Sequence, residues 1–467
     1  MNFLYATLIV TSISFNLQAA VLDTMVLPIQ VEPKQNSDLH QSPRQNLLQI
    51  YQQAQANDPA WAAAQKANQA AQEKVIQGRA LLLPTVGLNA NANHTDADIQ
   101  YTGSANVFRN SGSEHFETYS YTLNASQPIY RPQNSIQYTQ SKTQAAYADV
   151  QMTAAQQDLT TRISQAYFDL LIAQDKIELI YVQKQATTQQ LNQAQANFRV
   201  GVATITDVND AKAKLDLLLA QEIAAYNNLE AKKRSVETIT GTSIGLLVAA
   251  QAHLKVGMIE PREMHAWEEL AMQNNPELLA QQKALELAKQ EVDRHRAGHM
   301  PTLDAVGSYS YTNANGSING FGNKLDNFTL GLQLQLPLYQ GGAIASKERE
   351  AALNYQKAED ELEQSRRKVV LQARQAWLDL SSAIAQVHAY EQAVTSGWSQ
   401  VESTRKAYSV GIRNTVDVLN AEQQFYSAQH DLHVARYTYL TNIIKLKAAV
   451  GMMAESDIVS VNAELYE

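Results

Sequence analysis

Ser243 lies in Gly241-Thr242-Ser243-Ile244-Gly245, the spacing of a nucleophile elbow, in which a sharp strand-to-helix turn lifts a serine hydroxyl toward substrate. That geometry needs a strand before the serine. Residues 202–240 contain neither Gly nor Pro and read as helix, so Gly241 reads as a helix end and a hydrolase is not expected. Glu291, His295 and His299 are spaced four apart and share one helical face, as metal ligands could. Gly298 and Pro301 end the helix there, however, and a cationic His is favoured at a helix C-terminus without any metal. His430 and His433 make a weaker pair of the same kind. Asp207 and Asp417 stand at the starts of two helical stretches, where a carboxylate complements the helix dipole. The chain has no Cys, which removes disulfides, thiolate metal sites and lipid attachment through an N-terminal Cys. We therefore expect no catalytic residue, no metal and no cofactor.

These residues sit in a chain that is written twice. Asn57-Asp58-Pro59 recurs as Asn274-Asn275-Pro276, and the prolines of Leu83-Pro84-Thr85 and Met300-Pro301-Thr302 follow at the same interval. Ala166-Tyr167-Phe168-Asp169-Leu170 matches Ala376-Trp377-Leu378-Asp379-Leu380, Val200-Gly201 matches Val410-Gly411, and Gly241 matches Gly451. The period far exceeds the roughly 20–50 residues of a solenoid unit, so each copy should be half of one larger body with pseudo-twofold symmetry.

The breakers set the elements. No Gly or Pro falls between Pro132 and Gly201, which predicts one helix of about 100 Å at 1.5 Å per residue. A half-length helix follows from a capped start at Thr206-Asp207 to Thr240, and another fits before it from Gln45 to Leu82, interrupted weakly by Gly78, with Pro59 fitting poorly unless a new helix starts there. The second copy repeats the plan over Trp267–His299, Ala343–Val410 and Asp417–Val450. Between the helices the period drops to two. From Phe328 to Leu336 every even position is apolar and every odd one small or polar; Tyr119–Ala125 and Val86–Asn91 alternate likewise, and Leu303–Tyr311 does so less cleanly. Each copy thus carries a hairpin, with polar tips at Gly103–Ser113 and Asn313–Asn327. Such strands suit either a bilayer barrel with an aromatic girdle or a soluble sheet covered on one face. The Ala- and Gln-rich helices offer no apolar layer to cover it, and four strands cannot close a barrel without further copies.

The net charge of -9 lacks the footprint of a nucleic-acid binder. The apolar stretch Phe3 to Phe15 followed by Gln18-Ala19-Ala20 reads as a secretory signal, though no Lys or Arg precedes it. A buried N-terminal element is the alternative. No later run is long and apolar enough for a transmembrane helix.

The string Tyr408-Ser409-Val410-Gly411-Ile412-Arg413-Asn414-Thr415-Val416-Asp417-Val418-Leu419-Asn420-Ala421 resembles the TolC family of outer membrane channel proteins, as do Gly298 to Asp304 and Leu336 to Gly342. The first copy carries the weaker cognates Phe198 to Val208 and Gln127 to Tyr130. The resemblance spans roughly 45–458 and is closer to the unlipidated members. It implies an α+β, internally duplicated homotrimer: a twelve-stranded outer membrane β-barrel continuous with a periplasmic α-helical barrel. It implies an exit duct for efflux or type I secretion, working with a periplasmic adaptor and an inner-membrane transporter of RND, ABC or MFS type. The partners so implied are its own copies, those two proteins and outer membrane lipid. By resemblance, Asp417 forms a periplasmic constriction ring, with Asn420 a neutral second ring where the family commonly has an acid. Asp207, Arg413 and Tyr408 form the entrance latch, and the turns at Gly201 and Gly411 are the adaptor docking tips.

The expected organisation is a signal peptide at 1–20, a segment without assigned role at 21–44, a first repeat at 45–245 with its hairpin near 84–128, and a linker at 246–266. A second repeat follows at 267–455 with its hairpin near 301–337, then a C-terminal tail at 456–467. The rival reading is a soluble elongated coiled-coil scaffold.

Overall fold

The computed structural model describes residues 44–100, 112–250, 254–318 and 321–465. The expected signal peptide and most of the first hairpin tip lie outside these residues.

Two short helices open the described chain, α1 (Leu47–Asn57) and α2 (Pro59–Ala80). They are separated because Pro59 begins α2 at its first position and Asp58 caps it, accepting from the Trp61 amide at 3.0 Å. A hairpin follows, β1 (Thr85–Ile99) and β2 (Gly112–Tyr130), then the 68-residue α3 (Pro132–Arg199) and α4 (Ile205–Thr240). The series then runs again: α5 (Met264–Asn274), α6 (Pro276–Arg296), β3 (Thr302–Ala314), β4 (Asn323–Gln335), the 67-residue α7 (Ala343–Ser409) and α8 (Thr415–Ala449). The stretch read as a tail begins inside a further helix, α9 (Glu455–Ala463), whose Ile458 and Val461 are buried.

The long helices are held by narrow seams. Buried positions in α3 fall at Ala173, Ile180, Thr187 and Ala194, and in α4 at Ala211, Leu218 and Ala225, every seventh residue in each. In α7 the same interval runs through Ala373, Leu380 and Val387. Seven-residue spacing keeps one stripe facing a partner along a coiled-coil pair, and α3 packs on α4 as α7 packs on α8. Small seam residues let the backbones approach closely. The broad core sits elsewhere, where α1, α5 and α9 gather against the long helices around Tyr51, Tyr167, Phe168, Trp267 and Leu440.

The four strands form one antiparallel sheet in the order β1-β2-β3-β4. Register aligns Leu88, Leu123, Tyr309 and Phe328 across it, so the even residues of β4 share a face with Val86, Tyr121 and Leu303. That face is apolar and uncovered: Leu330, Leu332 and Leu334 are 75%, 70% and 69% exposed. The opposite face carries Asn89, Thr122, Ser308 and Gln333. Arg131, just before α3, grips the buried Asp304 of β3 through two hydrogen bonds, fastening sheet to helices. No described helix is long and apolar enough to cross a membrane.

Candidate functional site

At the far end from the sheet along α3 and α7, two short turns reverse the chain. Both are built alike. Gly201 N–H donates to the Phe198 carbonyl at 3.0 Å and Val202 N–H to the Asn197 carbonyl at 2.8 Å; Gly411 and Ile412 repeat this on Tyr408 at 3.0 Å and Ala407 at 2.9 Å. This is the Schellman ending, which needs a left-handed residue after the helix, and Gly201 and Gly411 supply it with φ of 77° and 79°. Apolar side chains project from both turns, with Val200, Val202, Val410 and Ile412 each at least 69% exposed.

The helix after each turn starts with a capping box. Thr204 caps α4, two residues before the predicted start, and its hydroxyl and amide both donate to Asp207 at 2.7 and 2.8 Å. Asn414 caps α8, accepting from the Asp417 amide at 2.8 Å. The carboxylates of Asp207 and Asp417 are therefore third-position cap partners, and Asn420 lies exposed one turn beyond Asp417.

Within one chain the three expected latch residues have separate partners. Arg413 Nη1 lies 3.7 Å from Asp417 Oδ2, Asp207 serves its cap, and the Tyr408 hydroxyl accepts from Thr415 at 3.4 Å and Asn197 at 3.5 Å. Tyr408 thus ties the end of α7 to both α8 and α3.

A second cross-link escaped the sequence reading. Glu422 of α8, its side chain 5% exposed, accepts two hydrogen bonds from Arg405 of α7 and one from Gln190 of α3. Thr415, Val418 and Leu419 are also buried, so Glu422 falls on the inward stripe of α8, where an acid needs a partner.

The other chemical candidates resolve into structure. Gly241 caps α4 with φ of 67°, and helix rather than strand precedes Ser243. Glu291 is held at about 2 by the Arg294 guanidinium, against the burial that would raise it, with Gln140 and His295 adding to the effect. His299 instead faces Glu348. His433 meets Asp175 at 2.7 Å, while burial and Lys176 push His430 below its ordinary pKa. Among the described residues no group of three or more His, Asp or Glu could hold a metal ion.

The profile of the family described as "Outer membrane efflux protein" matches residues 50–242 and 267–452. The chain belongs to that family. It is 34% identical to outer membrane protein TolC of Vibrio cholerae over 90% of this chain and 94% of that protein. It is 32% identical to the alkaline protease secretion protein AprF of Pseudomonas aeruginosa, over 88% of this chain and 85% of that one. The crystal structure of the outer membrane protein VceC of Vibrio cholerae superposes with a TM-score of 0.73 at 19% identity, over 87% of this chain and 96% of that one, a likeness of fold. The protein is an outer membrane exit duct of the efflux and type I secretion kind, with a large periplasmic portion. It is a conduit, not an enzyme, and the soluble-scaffold reading is not favoured.

Proposed function

We propose that three copies of this chain form one duct, with twelve strands closing a barrel in the outer membrane and twelve helices walling a periplasmic tunnel. The observation that carries this is the four-stranded sheet, apolar and uncovered on one face, with β1 and β4 at its open edges. Lipid offers no hydrogen bonds to the unpaired N–H and C=O groups of an edge, so closure has to come from other copies. The resemblance to TolC-type channels supports three.

In that assembly Asp417 and Asn420 ring the axis at the periplasmic entrance, and Asp207, Arg413 and Tyr408 latch neighbouring helix pairs together. The exposed Val200, Val202, Val410 and Ile412 support the turns at Gly201 and Gly411 as the docking tips for a periplasmic adaptor, which recruits an inner-membrane transporter of RND, ABC or MFS type. The organisation into a signal peptide, two repeats joined by the 246–266 linker and a C-terminal tail belongs to the same proposal.

Purified full-length protein, reconstituted in planar bilayers, tests the duct. Discrete conductance steps and a cross-linked mass of three chains are expected. Hydrogen bonds to charged groups contribute about 1.5–3 kcal/mol each, so Asp207→Ala and Arg413→Ala should both raise conductance. A monomer that conducts nothing would overturn the assembly, whereas unchanged conductance in both variants would remove the latch alone.

A further inference from the structure

Where α3, α4 and α8 meet lies a cavity of about 160 Å³ that the duct reading does not use. Leu179 of α3, Leu218 of α4, and Leu419 and Tyr426 of α8 give it apolar walls, and Lys176 and Lys214 reach it from α3 and α4. Two lysines of these helices have carboxylate partners: Lys184 meets Glu222 at 2.6 Å and Lys232 meets Asp169 at 2.7 Å. Lys176 and Lys214 have none within ion-pair distance among the described residues, and the ammonium of Lys214 is met by the amide oxygen of Gln423. Glu422, the one carboxylate in the lining, is already engaged by Arg405 and Gln190. The cavity therefore presents the Lys214 ammonium, without a carboxylate partner, beside apolar carbon, with Lys176 at its opposite end.

Part-buried charge without a counter-ion is costly, and an anion that also fills the apolar space relieves both deficits. We propose that this cavity binds an organic monoanion with an apolar body about the size of one aromatic ring, its carboxylate at the Lys214 ammonium and its ring against Leu218, Leu419 and Tyr426. The volume suits this, since a cavity of roughly 150 Å³ accepts benzene. Burial lowers the pKa of Lys214, consistent with an ammonium short of solvent. A ligand seated there touches α4 of the first copy and α8 of the second, so it joins the two coiled-coil pairs at a point separate from the entrance residues.

The test uses full-length protein in lipid nanodiscs and 4-fluorobenzoate as probe, followed by fluorine NMR. Saturable broadening, reversed by unlabelled benzoate, is expected. Lys214→Met keeps the aliphatic stem and removes the charge, and Gln423→Glu supplies Lys214 with a protein carboxylate; each should weaken binding by about tenfold or more. Lys214→Arg should retain binding, and Lys212→Met, on the exposed side of α4, should leave it unchanged. Uncharged 4-fluorobenzyl alcohol should bind at least about tenfold more weakly than the acid. Binding to Lys214→Met as tight as to the wild type, equal binding of the alcohol, or no saturable binding at millimolar probe would overturn the proposal.

Discussion

Asp58 and Asn275 occupy the same place in the two copies, each capping the helix that starts at the next proline, yet only the acid takes a salt bridge, from Arg162 at 2.9 Å. Burial would raise the pKa of Asp58, but the hydrogen bonds from Arg162 and the Trp61 amide outweigh it and hold the carboxyl below its ordinary range. A depressed carboxylate stabilises the fold above its unfolded pKa near 4 and loses that contribution as pH falls through the lower folded value. Asp58→Asn keeps the cap, as Asn275 does, so it should cost about 1–2 kcal/mol at neutral pH and flatten the acid limb of stability, measured by urea unfolding from pH 7 to 3. In the proposed trimer Asp417 would act through its copies instead. Three such carboxylates about 7 Å apart repel by about 2 kcal/mol per pair at an effective dielectric near 20. A trivalent cation should therefore block single-channel current, and Asp417→Ala should abolish most of the block; block that survives at equal concentration places the cation elsewhere. The helix-start places of Asp207 and Asp417 were legible because breakers announce helix starts. Glu422 was not, because an isolated acid among Gln and Ala looks like solvated surface until the inward stripe is known.

Helix limits could be read to within a few residues, since Gly and Pro leave so few other places to stop. The seven-residue seam was harder to see, because Ala and Thr fill positions where Leu would have declared it. The helix α9 was missed for a related reason: with nine residues it has no periodicity to read, and only packing makes it a helix. The strands announced their faces, and that reading is open to a direct trial. Arg at Leu332 should cost roughly 2–4 kcal/mol if that face meets lipid near the midplane, whereas Arg at Gln333 should assemble normally. Membrane yield of the two variants decides it, and equal yields would sink the lipid-facing assignment. The helix-ending glycines separate in the same spirit. At Gly411 a Cβ meets nothing, so Gly411→Ala should cost only the left-handed backbone, about 1–2 kcal/mol. At Gly451 it would lie 2.1 Å from the Asn274 carbonyl oxygen, so Gly451→Ala should lower thermal stability far more. Equal melting shifts would mean the α8 ending yields freely.

The duplicated order of elements makes the molecule two near-equal halves whose strands share one sheet and whose helices share one core. Nothing in a single sequence states how many copies would close the proposed barrel, because such closure is a property of edges that meet only between chains. Those edges are long, with β1 at 15 residues and β4 at 13. Unpaired, they are templates for unwanted pairing, and in lipid they carry bare polar groups. If copies must meet before the strands enter the bilayer, the yield of inserted duct should fall more steeply than linearly as chain is diluted in vesicle reconstitution; linear yield would mean that single chains insert alone. In the proposed barrel the open edges would act as a checkpoint in biogenesis: an unmatched subunit would have no resting place in the bilayer and would stay in the aqueous compartment, available to chaperones and proteases, until its fellows arrive.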